Sequence, residues 1–89
     1  MERVVLDFYS ESCMPCKMLS KDLEEISKEY SDIKFEKLNI SENYELTEKY
    51  NIMSVPTLVM IKNNQILASY IGYKGKEDLK RFLENGRSQ

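Results

Sequence analysis

The sequence predicts an α/β domain in the order β-α-β-α-β-β-α, a mixed four-stranded sheet flanked by three helices. Three observations predict it. Strand-length apolar runs alternate with stretches of helical period. Two β-rich runs late in the chain are separated only by Lys62-Asn63-Asn64-Gln65. Eighty-nine residues with 42% hydrophobic content suffice for one core but not for a second domain beside it. Residues 1–89 are therefore read as a single domain in which one site carries the function.

Val4 to Tyr9 is a mostly apolar, β-branched-rich run suited to a buried strand, and Ser10-Glu11-Ser12 ends it. From Cys13 to about Tyr30, the residues Cys16, Leu19, Leu23, Ile26 and Tyr30 recur at steps of three and four, with charged residues between them. That period is an amphipathic helix starting at the cysteines. Lys34 to Ile40 reads as the second strand, and Ser41 or Asn43 is placed to cap a short helix through Tyr50. Thr57 to Ile61 and Ile66 to Ile71 then form an antiparallel pair, because asparagine tolerates the positive φ of a tight hairpin turn. Gly75 can cap a last helix carrying Leu79, Phe82 and Leu83, and Gly86 is expected as its left-handed C-terminal residue. Right-handed crossovers build the parallel part of the sheet, and helices cover both faces.

Thirteen basic against fifteen acidic residues give a net charge of −2 without a basic run, which argues against nucleic acid as a partner. The absence of histidine excludes imidazole catalysis, Cys-His proteolysis and the common histidine-rich zinc sites. Met1-Glu2-Arg3-Val4-Val5-Leu6-Asp7 meets a carboxylate too soon for the apolar core of a signal peptide, and later apolar stretches are strand-length. A soluble, unexported protein with no membrane partner is expected, complete as it stands.

The chemistry converges on Cys13-Met14-Pro15-Cys16. Closing so short a loop removes little entropy from the unfolded chain, so a disulfide here is a poor staple and a chemical purpose is favoured. Cysteines at i and i+3 on the first turn of a helix lie on the same side, close enough to bond or separate with small movements. The helix N-terminus favours an anion, which makes the Cys13 thiolate the nucleophile. Pro15 stiffens the turn where its missing N–H is harmless. Cys16, on the apolar stripe, is expected to be buried and to act as the resolving thiol. The same spacing also serves as half of a four-ligand zinc or iron–sulfur site, but this chain lacks the other half.

These residues resemble a thioredoxin. The resemblance rests on Val5-Leu6-Asp7-Phe8-Tyr9, Cys13-Met14-Pro15-Cys16-Lys17-Met18, Lys37-Leu38-Asn39-Ile40 and Ser54-Val55-Pro56-Thr57, which fall in the family's order from Arg3 to Leu83. It implies a thioredoxin fold lacking the family's extra N-terminal strand and helix, close in length to glutaredoxins. It makes Asp7 the proton acceptor for Cys16 and Lys37 a partner that tunes it. Val55-Pro56 matches the family's cis-proline, which shapes the substrate groove together with Pro15, Ser54 and Gly72, while Met14, Met53 and Tyr73 form an apolar rim for varied clients. Departures bear on substrate choice: Ser12 and Tyr9 stand where tryptophans are usual, and Met14 where the loop usually has glycine. Lys21 replaces a frequent helix-kinking proline and Ser41 a frequent aspartate.

The implied activity is a protein-disulfide reductase, working by dithiol–disulfide exchange and needing no cofactor or metal beyond its own cysteines. A thioredoxin-reductase-type electron donor and disulfide-containing client proteins are the implied partners, and the resemblance implies a cytoplasmic monomer serving electron transport and redox homeostasis. The rivals are a glutathione-dependent, glutaredoxin-like reductase, a disulfide-forming or isomerising role, a module whose two copies share a metal or cluster through Cys13 and Cys16, and a non-catalytic scaffold using the same groove.

Overall fold

A computed structural model describes residues 2–89. Strand β1 (Arg3–Tyr9) leads into helix α1 (Met14–Ile26), a 3₁₀ turn at Ser27–Glu29 and strand β2 (Ile33–Asn39). Helix α2 (Tyr44–Lys49), strands β3 (Thr57–Lys62) and β4 (Gln65–Ile71), and helix α3 (Lys76–Arg87) follow. The expected element order is present. The sheet order is β2-β1-β3-β4, with β1 parallel to β2 and antiparallel to β3, and β3 antiparallel to β4. Among the described residues β1 and β2 are the one parallel pair, and the crossover that joins them runs through α1.

Alternation along β1 divides its side chains between two cores. Val5 joins Leu19, Leu23, Ile26, Leu58, Met60, Leu79, Phe82 and Leu83 on the face covered by α1 and α3. Leu6 and Phe8 pack with Tyr50 and Val59 on the other face, where Leu38, Leu46 and Val55 complete the cluster. Period two places Asp7 on the same face as Val5, under α1, although the residues around it in sequence are apolar.

The hairpin behaves as its asparagines foretell: Asn63 and Asn64 take φ of 54° and 64°. Two helix ends differ from expectation. The first α-helix stops at Ile26 and tightens into the 3₁₀ turn, with Tyr30 ending it as a buried core residue. Gly86 lies inside α3 rather than beyond its end, and it is buried. A Cβ there would overlap the Met60 side chain, so close packing of α3 on β3, not a left-handed terminus, is what calls for glycine. Asn43 does occupy the N-cap of α2, but its side chain donates back to the Asn39 carbonyl at 2.9 Å instead of capping.

Candidate active site

The site begins where β1 ends. Cys13 is the N-cap of α1, and its sulfur accepts the backbone N–H of Cys16 at 3.1 Å. Cys13 and Cys16 form a disulfide with their Cα atoms 5.2 Å apart. Cys13 is half-buried while Cys16 is only 5% exposed, so a partner reaches one sulfur and not the other. Met14 and Pro15 occupy the first turn and are exposed.

The second wall comes from the loop before β3. The Val55-Pro56 peptide is cis, Pro56 is buried, and Ser54 and Met53 are exposed beside it. Gly72, at φ 78°, donates its N–H to the Pro56 carbonyl at 2.9 Å, which ties the end of β4 to the proline loop. Thr57 closes the same loop by donating its hydroxyl to the Ser54 carbonyl at 2.8 Å. Tyr73 is half-buried, and its hydroxyl donates to the Asp22 carboxylate of α1 at 2.6 Å. The hydroxyl end of the tyrosine is therefore a strut between α1 and the loop before α3, while Met14 and Met53 stand free at 65% and 85% exposure.

The third part lies beneath α1. Asp7 is 3% exposed, and burial pushes its carboxyl from 3.8 up to about 6, against the downward pull of the Lys37 ammonium. Lys37 is the register partner of Asp7 on β2, yet the two make no ion pair among the described residues. Lys37 acts on Asp7 through its charge, without an ion-pair contact. Instead the ammonium donates to the Ser20 hydroxyl at 3.0 Å and lies 4.7 Å from the centre of the Tyr9 ring.

Two adjoining cavities join these groups. One, of about 350 Å³, is lined by Tyr9, Cys16, Lys17, Ser20, Glu24 and Lys37 among others. The other, of about 200 Å³, is lined by Asp7, Ser20, Leu23, Glu24, Phe35 and Lys37 together with Ser27. Ser20, Glu24 and Lys37 line both, so the cavity lined by Cys16 adjoins the one lined by Asp7. The sequence reading missed Ser20 and Glu24. Their spacing carried the signal, because Cys16, Ser20 and Glu24 follow one another at four-residue steps along one flank of α1.

Among the described residues no group of three or more His, Cys, Asp or Glu side chains is arranged to hold a metal ion. No helix of the described chain is long and apolar enough to cross a membrane.

The geometry has counterparts in known proteins. The thioredoxin family model matches residues 1–85. The thioredoxin of Buchnera aphidicola subsp. Acyrthosiphon pisum is 46% identical over 81 residues, covering 90% of this chain and 75% of the relative. That of Bacillus subtilis is 38% identical over 81 residues, covering 90% and 78%. Among solved structures, the germline-specific thioredoxin Deadhead of Drosophila melanogaster superposes with a TM-score of 0.85 at 32% identity, covering 93% of this chain and 79% of that one. A malarial protein superposes with a TM-score of 0.83 at 26% identity, covering 97% and 98%.

Proposed function

The chain belongs to the thioredoxin family and is a thiol–disulfide oxidoreductase, and from that premise we propose that Cys13 is its nucleophile, Cys16 its resolving thiol and Asp7 the acceptor of the Cys16 proton. Family members use no cofactor beyond the redox-active disulfide, and they exchange electrons with reductases on one side and disulfide-bearing clients on the other.

The observation that carries the assignment is the unequal exposure of two bonded sulfurs at the start of α1. In the reduced protein the Cys13 thiolate attacks a client disulfide. A bond forms between Cys13 and one client sulfur, and the other client sulfur leaves as a thiolate. Cys16 then gives its proton to the Asp7 carboxylate across the cleft, attacks the Cys13 sulfur and releases the second client thiolate. Two electrons have passed from the cysteine pair to the client, and the Cys13–Cys16 bond has re-formed. A carboxyl with a midpoint of about 6 suits the task, because it is largely ionised at neutral pH yet accepts a proton more readily than an ordinary aspartate.

The backbone around Ser54, Val55, Pro56 and Gly72 receives an extended client segment, with Pro15, Met14, Met53 and the ring of Tyr73 beside it; methionine suits a rim that meets clients of many shapes. Lys37 tunes Asp7 through its charge. We read residues 1–89 as one domain, working as a cytoplasmic monomer in electron transfer from a thioredoxin-reductase-type donor.

The equilibrium reduction potential of the pair, measured by thiol labelling in dithiothreitol and glutathione buffers, tests the reading. A value near about −270 mV supports a general reductant, and one near about −200 mV or above favours the glutathione-linked or oxidising alternatives.

A further inference from the structure

We propose that Ser20 is a positioning residue: it fixes the Lys37 ammonium at the junction of the two cavities, and so sets the charge felt by Asp7 when the Cys16 proton arrives. The inference rests on Asp7 being that proton acceptor.

Lys37 is an exposed lysine on an edge strand, a side chain that ordinarily samples many rotamers in solvent. Here two contacts hold its head, the Ser20 hydroxyl at 3.0 Å and the face of Tyr9 at 4.7 Å. Ser20 lines both the cavity lined by Cys16 and the one lined by Asp7, so the ammonium it anchors stands where the two adjoin. Because Lys37 donates to it, the hydroxyl accepts at this contact and its own O–H remains directed elsewhere by rotation.

The groups facing Asp7 are few. From β2 comes Lys37, with Phe35 beside it; from α1 come Ser20, Leu23 and Glu24; from β3 the register partner is the uncharged Leu58. Lys37 is the one cation among them and Glu24 the one other anion. A displacement of the ammonium is therefore not averaged away by another positive charge among these groups, and its pull on Asp7 falls as the separation grows. Among the described residues, removing the hydroxyl leaves the Tyr9 ring as the anchor. The ammonium then spends more time in solvent, the downward pull on Asp7 weakens, and the carboxyl holds its proton to higher pH.

The test is a titration of the Asp7 carboxyl, followed by its infrared carbonyl band or by carbon NMR, in the wild type, Ser20→Ala, Ser20→Thr, Lys37→Met and the Ser20→Ala/Lys37→Met double variant. Ser20→Ala should raise the midpoint by about half a pH unit or more, by the distance dependence of a charge pair in such a medium. Ser20→Thr, which keeps a hydroxyl, should stay with the wild type. Lys37→Met should raise the midpoint at least as far, and Ser20→Ala should add nothing to it, since the serine acts through the lysine. The pH profile for release of client from a preformed Cys13 mixed disulfide should move in the same direction.

A wild-type midpoint in Ser20→Ala beside a shifted one in Lys37→Met overturns the proposal and spares the role of Lys37. A Ser20→Ala shift that persists at full size in the Lys37→Met background overturns it as well. An Asp7→Asn variant whose release profile matches the wild type overturns instead the proton-acceptor reading beneath it.

Discussion

At the level of single residues, the two cysteines differ in what they can meet. Cys13 stands half-buried at the helix cap and Cys16 is packed beneath it. Replacing Cys13 by serine should abolish disulfide reduction, read as insulin turbidity in the presence of dithiothreitol falling to the level without protein. Cys16→Ser should fail differently: attack still occurs, but the adduct cannot be resolved, so a client-protein conjugate that thiol reductants dissolve should accumulate and be visible by mass spectrometry. The resolving role is wrong if no conjugate forms. Asp7 shows how far a local reading reaches. A carboxylate in an apolar run signalled a special site, and strand alternation places it under α1; its neighbours Ser20 and Glu24 come from a helix whose docking angle no pattern in β1 contains.

Among the elements, the β-hairpin and the two longer helices, α1 and α3, were legible because each carries its own chemistry: paired asparagines with positive φ, and apolar stripes at helical steps. The ends of helices were less so. Gly86 at the tail of α3 reads as a C-terminal signal, but its meaning is set by Met60 on β3, 26 residues earlier in sequence. Alanine at 86 should gain roughly 1 kcal/mol of helix propensity and yet lose more by forcing the buried Met60 thioether to shift. The net result expected is a destabilisation on the order of 1 kcal/mol, read from the urea midpoint. A stabilised variant would show that Met60 swings aside at no cost. The pairing of β1 with β3 was likewise hidden, since the sequence marks which segments are strands but not which of them become neighbours; the register of Val4 to Phe8 against Thr57 to Ile61 supplies that, with Leu58 and Val59 falling to opposite cores.

At the scale of the whole molecule, one buried carboxyl ties global stability to pH. The Asp7 midpoint is raised in the folded state from 3.8 to about 6, so folding favours its protonated form. The sign follows: the stabilisation associated with that proton is complete below about pH 4 and is lost as pH rises through about 6, leaving the folded protein less stable at neutral pH by about 3 kcal/mol on this account. Asp7→Asn, which cannot ionise, should therefore unfold at higher urea concentration than the wild type at pH 8, with the gap narrowing toward pH 4; equal gaps at both would refute the linkage. The adjoining cavities beside Asp7 and Cys16 became visible only here, because they are made by packing α1 across β1 and β2. The shielding of Cys16 has one further consequence, which concerns traffic. With one cysteine of the pair so much more exposed than the other, an electron donor and a client should take turns at the same doorway, making the protein a shuttle and not a bridge. Each pair of electrons requires one visitor to depart before the next arrives, steady-state plots against the two partners should be parallel, and an abundant partner that lingers will throttle every other one.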